Sequence, residues 1–122
     1  MEIWQLTATE LASSISKGEI SAVDATQSHL SRMNEANQKI NAVVESCQSE
    51  ALREAEQVDS NLRKGLKLGP LAGVPVTVKV NVDQEGYATT NGLQLQKDLL
   101  AQKDNPVVNN LRKAGAIIIG RT

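Results

Sequence analysis

The sequence has almost no aromatic side chains. Trp4 and Tyr87 are the only two, and phenylalanine is absent. A core built from this chain therefore has to be aliphatic, packed from Leu, Ile, Val and Ala. Cysteine is nearly absent as well. Cys47 stands alone, which excludes an internal disulfide framework and a paired-cysteine metal site, and it fits a reducing, cytoplasmic compartment. Charge is not concentrated: 13 Lys and Arg against 14 Asp and Glu give a net charge of −1 and no basic block. Nucleic-acid binding rests on clustered Lys and Arg, so the composition argues against a nucleic-acid partner. No run is long enough to cross a membrane, and the N-terminus lacks the basic and apolar regions of a signal peptide. At 122 residues the chain is one domain or part of a larger one.

What is present divides into two parts. Residues 1–68 read as helical and 69–122 as α/β. In the helical part, Thr7 and Glu10 form a capping box for a helix over Thr7–Lys17, with Leu6 and Leu11 spaced as a hydrophobic staple and Gly18 as the stop. Ser21 starts a second helix, with Asp24 as its box partner and Val23, Leu30 and Met33 near one stripe. His29 lies on it without a second ligand at metal-binding spacing and reads as a surface or half-buried histidine. Asn37 to Asn41 is turn-like, and Ile40 to Val44 is a short apolar stretch that suits extended chain. A third helix, about Ser49 to Lys64, carries Ala51, Ala55, Val58 and Leu62 at helical spacing. Its Glu50, Arg53, Glu54 and Gln57 read as a solvated face.

The second part opens on Gly69-Pro70-Leu71-Ala72-Gly73-Val74-Pro75-Val76-Thr77-Val78-Lys79. Gly-Pro is a turn signal, and Val74 to Val78 is a β-branched run that predicts a strand. Alternation sends Val74, Val76 and Val78 to one face and Pro75, Thr77 and Lys79 to the other. Lys79 is the first charge after the strand, at its carboxyl end, where open α/β sheets place ligands. On local sequence alone it is a solvated lysine closing a strand. Asn81 to Gly92 is rich in turn formers, and Leu93 to Lys103 reads equally as loop or loose helix. Asn105-Pro106 starts a helix with Val107, Val108 and Leu111 as its buried side, and Ala116 to Ile119 is a buried strand. Helix, glycine, strand is half of a crossover unit, so the two strands are expected to be parallel. A phosphate-binding glycine loop follows a strand and opens a helix. Gly69–Gly73 precedes one, which argues against nucleotide binding.

Gly-Pro-Leu-x-Gly-Val-Pro-Val-x-Val-Lys resembles the opening motif of the amidase signature family. The resemblance continues in register through Asn81-Val82-Asp83, Gly86, Thr89-Thr90, Gly92, Asp104–Val108 and Leu111–Thr122. It implies an α/β fold: a helical N-terminal half, then the first strands of an α/β/α amidase-type sheet, with the chain as a single N-terminal piece of an incomplete domain. It implies an amidohydrolase that cleaves the carboxamide of a small-molecule substrate by Ser-Ser-Lys acyl transfer, without cofactor or metal, and with Lys79 as the catalytic base. To act so the lysine must be neutral, which only a closed, dry site favours.

All nine serines, Ser13 to Ser60, precede the strand. The resemblance places both catalytic serines beyond Thr122, so the isolated chain is expected to be inactive. Two positions depart from the family pattern: Val80 stands where an acid is usual after the lysine, and Asn91-Gly92-Leu93 follows the Thr pair. The competing expectation is a non-catalytic module of amidase descent that oligomerises or binds a partner. A two-stranded sheet with open edges is marginal in water, so the chain is expected to form a homo-oligomer.

Overall fold

A computed structural model describes residues 1–122. Its elements are α1 (Ala8–Ser16), α2 (Ala22–Ile40), β1 (Glu45–Ser46), α3 (Gln48–Arg63), β2 (Pro75–Val78), α4 (Pro106–Lys113) and β3 (Ile117–Arg121), with single 3-10 turns at Ile3–Gln5 and Gln94–Gln96. The fold is α/β, as the sequence implies. β3 is the middle strand. It pairs parallel with β2, as expected, and antiparallel with β1, which the sequence did not announce.

Local chemistry accounts for the helix starts. At α1 the capping box is complete: the Glu10 amide donates to Thr7 Oγ1 at 3.2 Å and the Thr7 amide to Glu10 Oε2 at 2.8 Å. At α2, Ser21 Oγ accepts from the Asp24 amide, but Asp24 does not return the bond. Asp59, from α3, accepts from the Ala22 and Val23 amides at 2.7 and 3.0 Å instead. One carboxylate thus satisfies two orphan donors and ties α3 to the positive end of α2. At α4, Asn105 caps and Pro106 occupies the first turn.

Three expectations need correction. α2 does not break at Asn37. It runs to Ile40 and ends at Asn41, whose φ of 47° is left-handed. The Asn37 side chain donates to Val43 O and accepts from Val43 N, both at 2.8 Å, so it fastens the turn beyond the helix without forming one. The strand itself is Glu45–Ser46, and of the apolar Ile40–Val44 stretch only Val44 joins the pairing, its amide donating to Arg121 O at 2.9 Å. Val107 is 58% exposed, so α4 turns only Val108 and part of Leu111 inward. Residues 93–103 form a loop with one 3-10 turn, and Leu93, Leu95, Leu99 and Leu100 are exposed on it.

The core has two parts, one on each face of the sheet. Leu11, Ile15, Ala22, Ala25, Leu30, Ala51 and Ala55 pack with Val74, Ile117 and Ile119 beneath α1, α2 and α3. Cys47, Val78, Val108 and Ile118 form the other side, with Val76, Val82, Tyr87 and Leu111 around them. Val74 therefore parts company with Val76 and Val78. It precedes the strand and packs against the opposite face.

The Gly69–Gly73 stretch has a structural reason. Its backbone lies directly on the end of α4: the Leu71 amide donates to Ala114 O at 2.8 Å and the Gly73 amide to Gly115 O at 3.0 Å. A Cβ on Gly115 would come within 2.7 Å of Ala72 Cα. This backbone-on-backbone contact fixes where β2 enters the sheet, and so where Lys79 leaves it.

Candidate active site

Lys79 follows β2 at its carboxyl end and is exposed. The ladder extends past the strand. The Thr122 amide donates to Val78 O at 2.9 Å and the Val80 amide to Thr122 O at 2.7 Å, which sets Thr122 opposite Lys79. The Val82 amide then donates to Lys79 O at 3.0 Å, closing a turn. None of the chain's ion pairs engages the Lys79 ammonium. An open groove of about 620 Å³ lies past the end of β2, lined by Val44, Val80, Thr90, Leu93, Gln94 and Lys97; Lys79 itself does not line it.

No serine reaches this position. Ser46 is the one serine in the sheet, but it pairs with Gly120 across from Thr77, two strand spacings or about 10 Å from β2. The other eight sit in or beside the helices. Of the nearby hydroxyls, Thr89 is engaged with Asp83, Thr90 Oγ1 accepts from the Gly92 amide, and that of Thr122, opposite Lys79, has no hydrogen-bond partner.

Away from Lys79 the chain holds a connected polar network. Arg112 donates to Glu54 at 2.8 Å, Asp104 at 3.0 Å and Glu50 at 3.4 Å, with its side chain 25% exposed. Tyr87 donates its hydroxyl to Glu50 at 3.1 Å. Glu50 and Glu54 are therefore not the solvated face their spacing suggested: they join α3 to α4. Burial pushes the Glu54 carboxyl above its usual value, with Arg112 opposing. Burial likewise raises the Tyr87 hydroxyl, aided by Cys47 and Glu50, and raises the Cys47 thiol. Gln84 is fully buried. It donates to Cys47 Sγ at 3.7 Å and accepts from Arg121 at 3.1 Å.

The Amidase family profile matches residues 24–122. The chain belongs to the amidase signature family. This amidase chain is 48% identical to indoleacetamide hydrolase of Bradyrhizobium diazoefficiens, over 98% of its own length and 23% of the relative's. It is 37% identical to a glutamyl-tRNA(Gln) amidotransferase subunit of Streptomyces coelicolor, over 99% of its length and 24% of that protein's. A solved structure of fatty acid amide hydrolase superposes with a TM-score of 0.94 at 30% identity, over 98% of this chain and 21% of the other. The chain thus spans about a quarter of the length of the relatives it matches. That quarter is the part these proteins share with it.

Within this amidase chain, two residues near Lys79 escaped the sequence reading. Thr122 is brought beside Lys79 by parallel register alone, a relation that no local spacing reveals. Arg121 is fully buried although arginine is seldom so. The one available signal was its position one residue past a run of isoleucines, after Gly120. His29 is half-buried and bonds Ala25 O at 2.8 Å, an ordinary helix contact.

Proposed function

We propose that the protein containing this chain is an amidohydrolase that cleaves a carboxamide by acyl transfer, with Lys79 as general base of a Ser-Ser-Lys triad whose serines lie outside these 122 residues. The observation that carries the reading is the placement of Lys79. It is an exposed lysine without an ion-pair partner at the carboxyl end of a strand, framed by the Val78–Val80 ladder. Such a group takes the proton of a nucleophilic hydroxyl only when a further structure closes over it and desolvates it. The chain alone supplies neither the serine pair nor the cover, so it is inactive by itself.

The test is a chimera in which this chain replaces the matching quarter of the indoleacetamide hydrolase, assayed for ammonia release from indoleacetamide. The chimera hydrolyses the amide, Lys79→Ala lowers kcat by about 10²–10⁴-fold, and the isolated chain gives no turnover. A folded chimera without hydrolysis overturns the reading, as does a Lys79→Ala variant that keeps the parent's rate.

One observation favours a second reading, a module that self-associates. β2 pairs only with β3. The Val74 and Val78 carbonyls accept from β3 and its extension, and the Val80 amide donates to Thr122, so by alternation the backbone groups of Pro75 and Thr77 face an open edge. Such an edge accepts another strand, most simply from a two-fold related copy. Sedimentation across a dilution series then shows a dimer that dissociates on dilution; a monomer throughout removes this reading.

A further inference from the structure

Arg121 is the least expected side chain in the molecule. It is fully buried, and no carboxylate pairs with it. Guanidinium stays charged under all ordinary conditions, and a buried charge without a counter-ion is unfavourable unless its donors are met. Here three of its five donors are met, all by one loop. Arg121 Nη1 donates to Gln84 Oε1 at 3.1 Å, and Nη2 donates to Val82 O at 3.1 Å and Ala88 O at 3.2 Å. Its Cζ lies 5.7 Å from the centre of the Tyr87 ring. Nε is buried and unpartnered.

A β-bulge aims it there. Val76 pairs with Ile118 and Thr77 with Gly120, so one step along β2 matches two along β3. Without the extra residue, alternation would send Arg121 to the side of Ile117 and Ile119, under the helices. With it, Gly120 takes that side, where a Cβ would come within 2.8 Å of Val43. Arg121 then falls opposite Val78, on the side of Ile118 and the loop.

Val82 is the link to Lys79. Its carbonyl accepts from Arg121, and its amide donates to Lys79 O. The residue after Arg121 brackets Lys79 through the Val78 and Val80 bonds. We infer that Arg121 is a positioning residue for Lys79: by fastening Val82, Gln84 and Ala88 it locks the turn from which the lysine stem departs. This rests on the reading of Lys79 as the catalytic base.

Two measurements test it. In the chain itself, hydrogen exchange at the Val82 and Val80 amides is slow in the native protein. In Arg121→Met, which keeps the length and removes the donors, it speeds up by at least about tenfold, with the α1 and α2 amides unchanged. In the hydrolase chimera, Arg121→Met lowers kcat by about 10–100-fold with little change in KM, and Arg121→Lys, which keeps the charge and some donors, recovers part of the loss. If Arg121→Met does not fold, the native exchange decides the clamp: a Val82 amide that exchanges as fast as an open loop overturns it. Unchanged exchange in the variant, or faster exchange with unaltered kcat, also overturns it. Lys79→Ala in the chimera separates the two readings. If that variant keeps its rate, the base assignment has failed and positioning falls with it, while exchange at Val82 still decides the clamp.

Discussion

Replacing Arg112 by Met would remove the one cation that three carboxylates share. The side chain is three-quarters buried and the acids are 17–35% exposed, so the site lies between a surface pair and a buried one. Exposed pairs contribute about 0.2–1 kcal/mol, and breaking a buried pair costs about 3–5 kcal/mol. The 3.4 Å contact to Glu50 is weak, whereas those to Glu54 and Asp104 are well formed. A loss of about 2 kcal/mol near neutral pH follows, or a Tm lower by about 6–10 °C for a chain of this size. The pH dependence is sharper. Burial holds the Glu54 carboxyl above its usual value, so the folded chain binds that proton more tightly than the unfolded chain does. Its contribution favours folding below the unfolded pKa and is lost as pH rises through the folded one. Arg112 offsets that loss by attracting the ionised form. Without it the loss deepens, so the deficit of the Met variant is small at about pH 4 and grows to its full size at about pH 7. Chemical denaturation of both proteins across that range measures it. A deficit equal at both ends, or one near zero throughout, would refute the reasoning and return Glu50 and Glu54 to the solvated face.

Two further outcomes follow from the same packing. Thr7→Ala removes the acceptor of the α1 capping box and costs about 1 kcal/mol in denaturant titration; an unchanged midpoint would show that the box does not hold α1. Cys47 is 3% exposed and its thiol is raised by burial, so iodoacetamide labels it only when the chain opens. Its labelling rate tracks unfolding as denaturant rises, and rapid labelling in native buffer would contradict the packed second core.

Local signals read correctly from the sequence were those whose partners lie within a turn. Thr7 with Glu10, Asn105 with Pro106 and the isoleucine run each carry their cause nearby. The parallel pairing of β2 and β3 was legible because a helix between two apolar runs allows little else. Failures came where a distant group decides. Asn37 is polar enough to suggest a turn, yet α2 passes through it because its side-chain amide is used by Val43. Glu50 and Glu54 meet Arg112 from 62 and 58 residues away, so no helical spacing could announce them. The amidase motif drew attention to Lys79. What frames it, Thr122 in register and Arg121 turned by a bulge, depends on one extra residue in β3 that composition does not mark.

The strand order also governs when the sheet can exist. β1 and β2 never touch: each pairs only with β3, which is made after both. About 40 residues separate the end of β2 from the start of β3, which at ordinary synthesis rates is about 2–8 s. In that interval α1, α2 and α3 can form and meet, because their contacts are close in sequence, while both early strands wait with unpaired backbones. The closing of the sheet is thus a single late event that joins three distant segments at once, and it is the step at which a nascent chain is most open to pairing with the wrong neighbour.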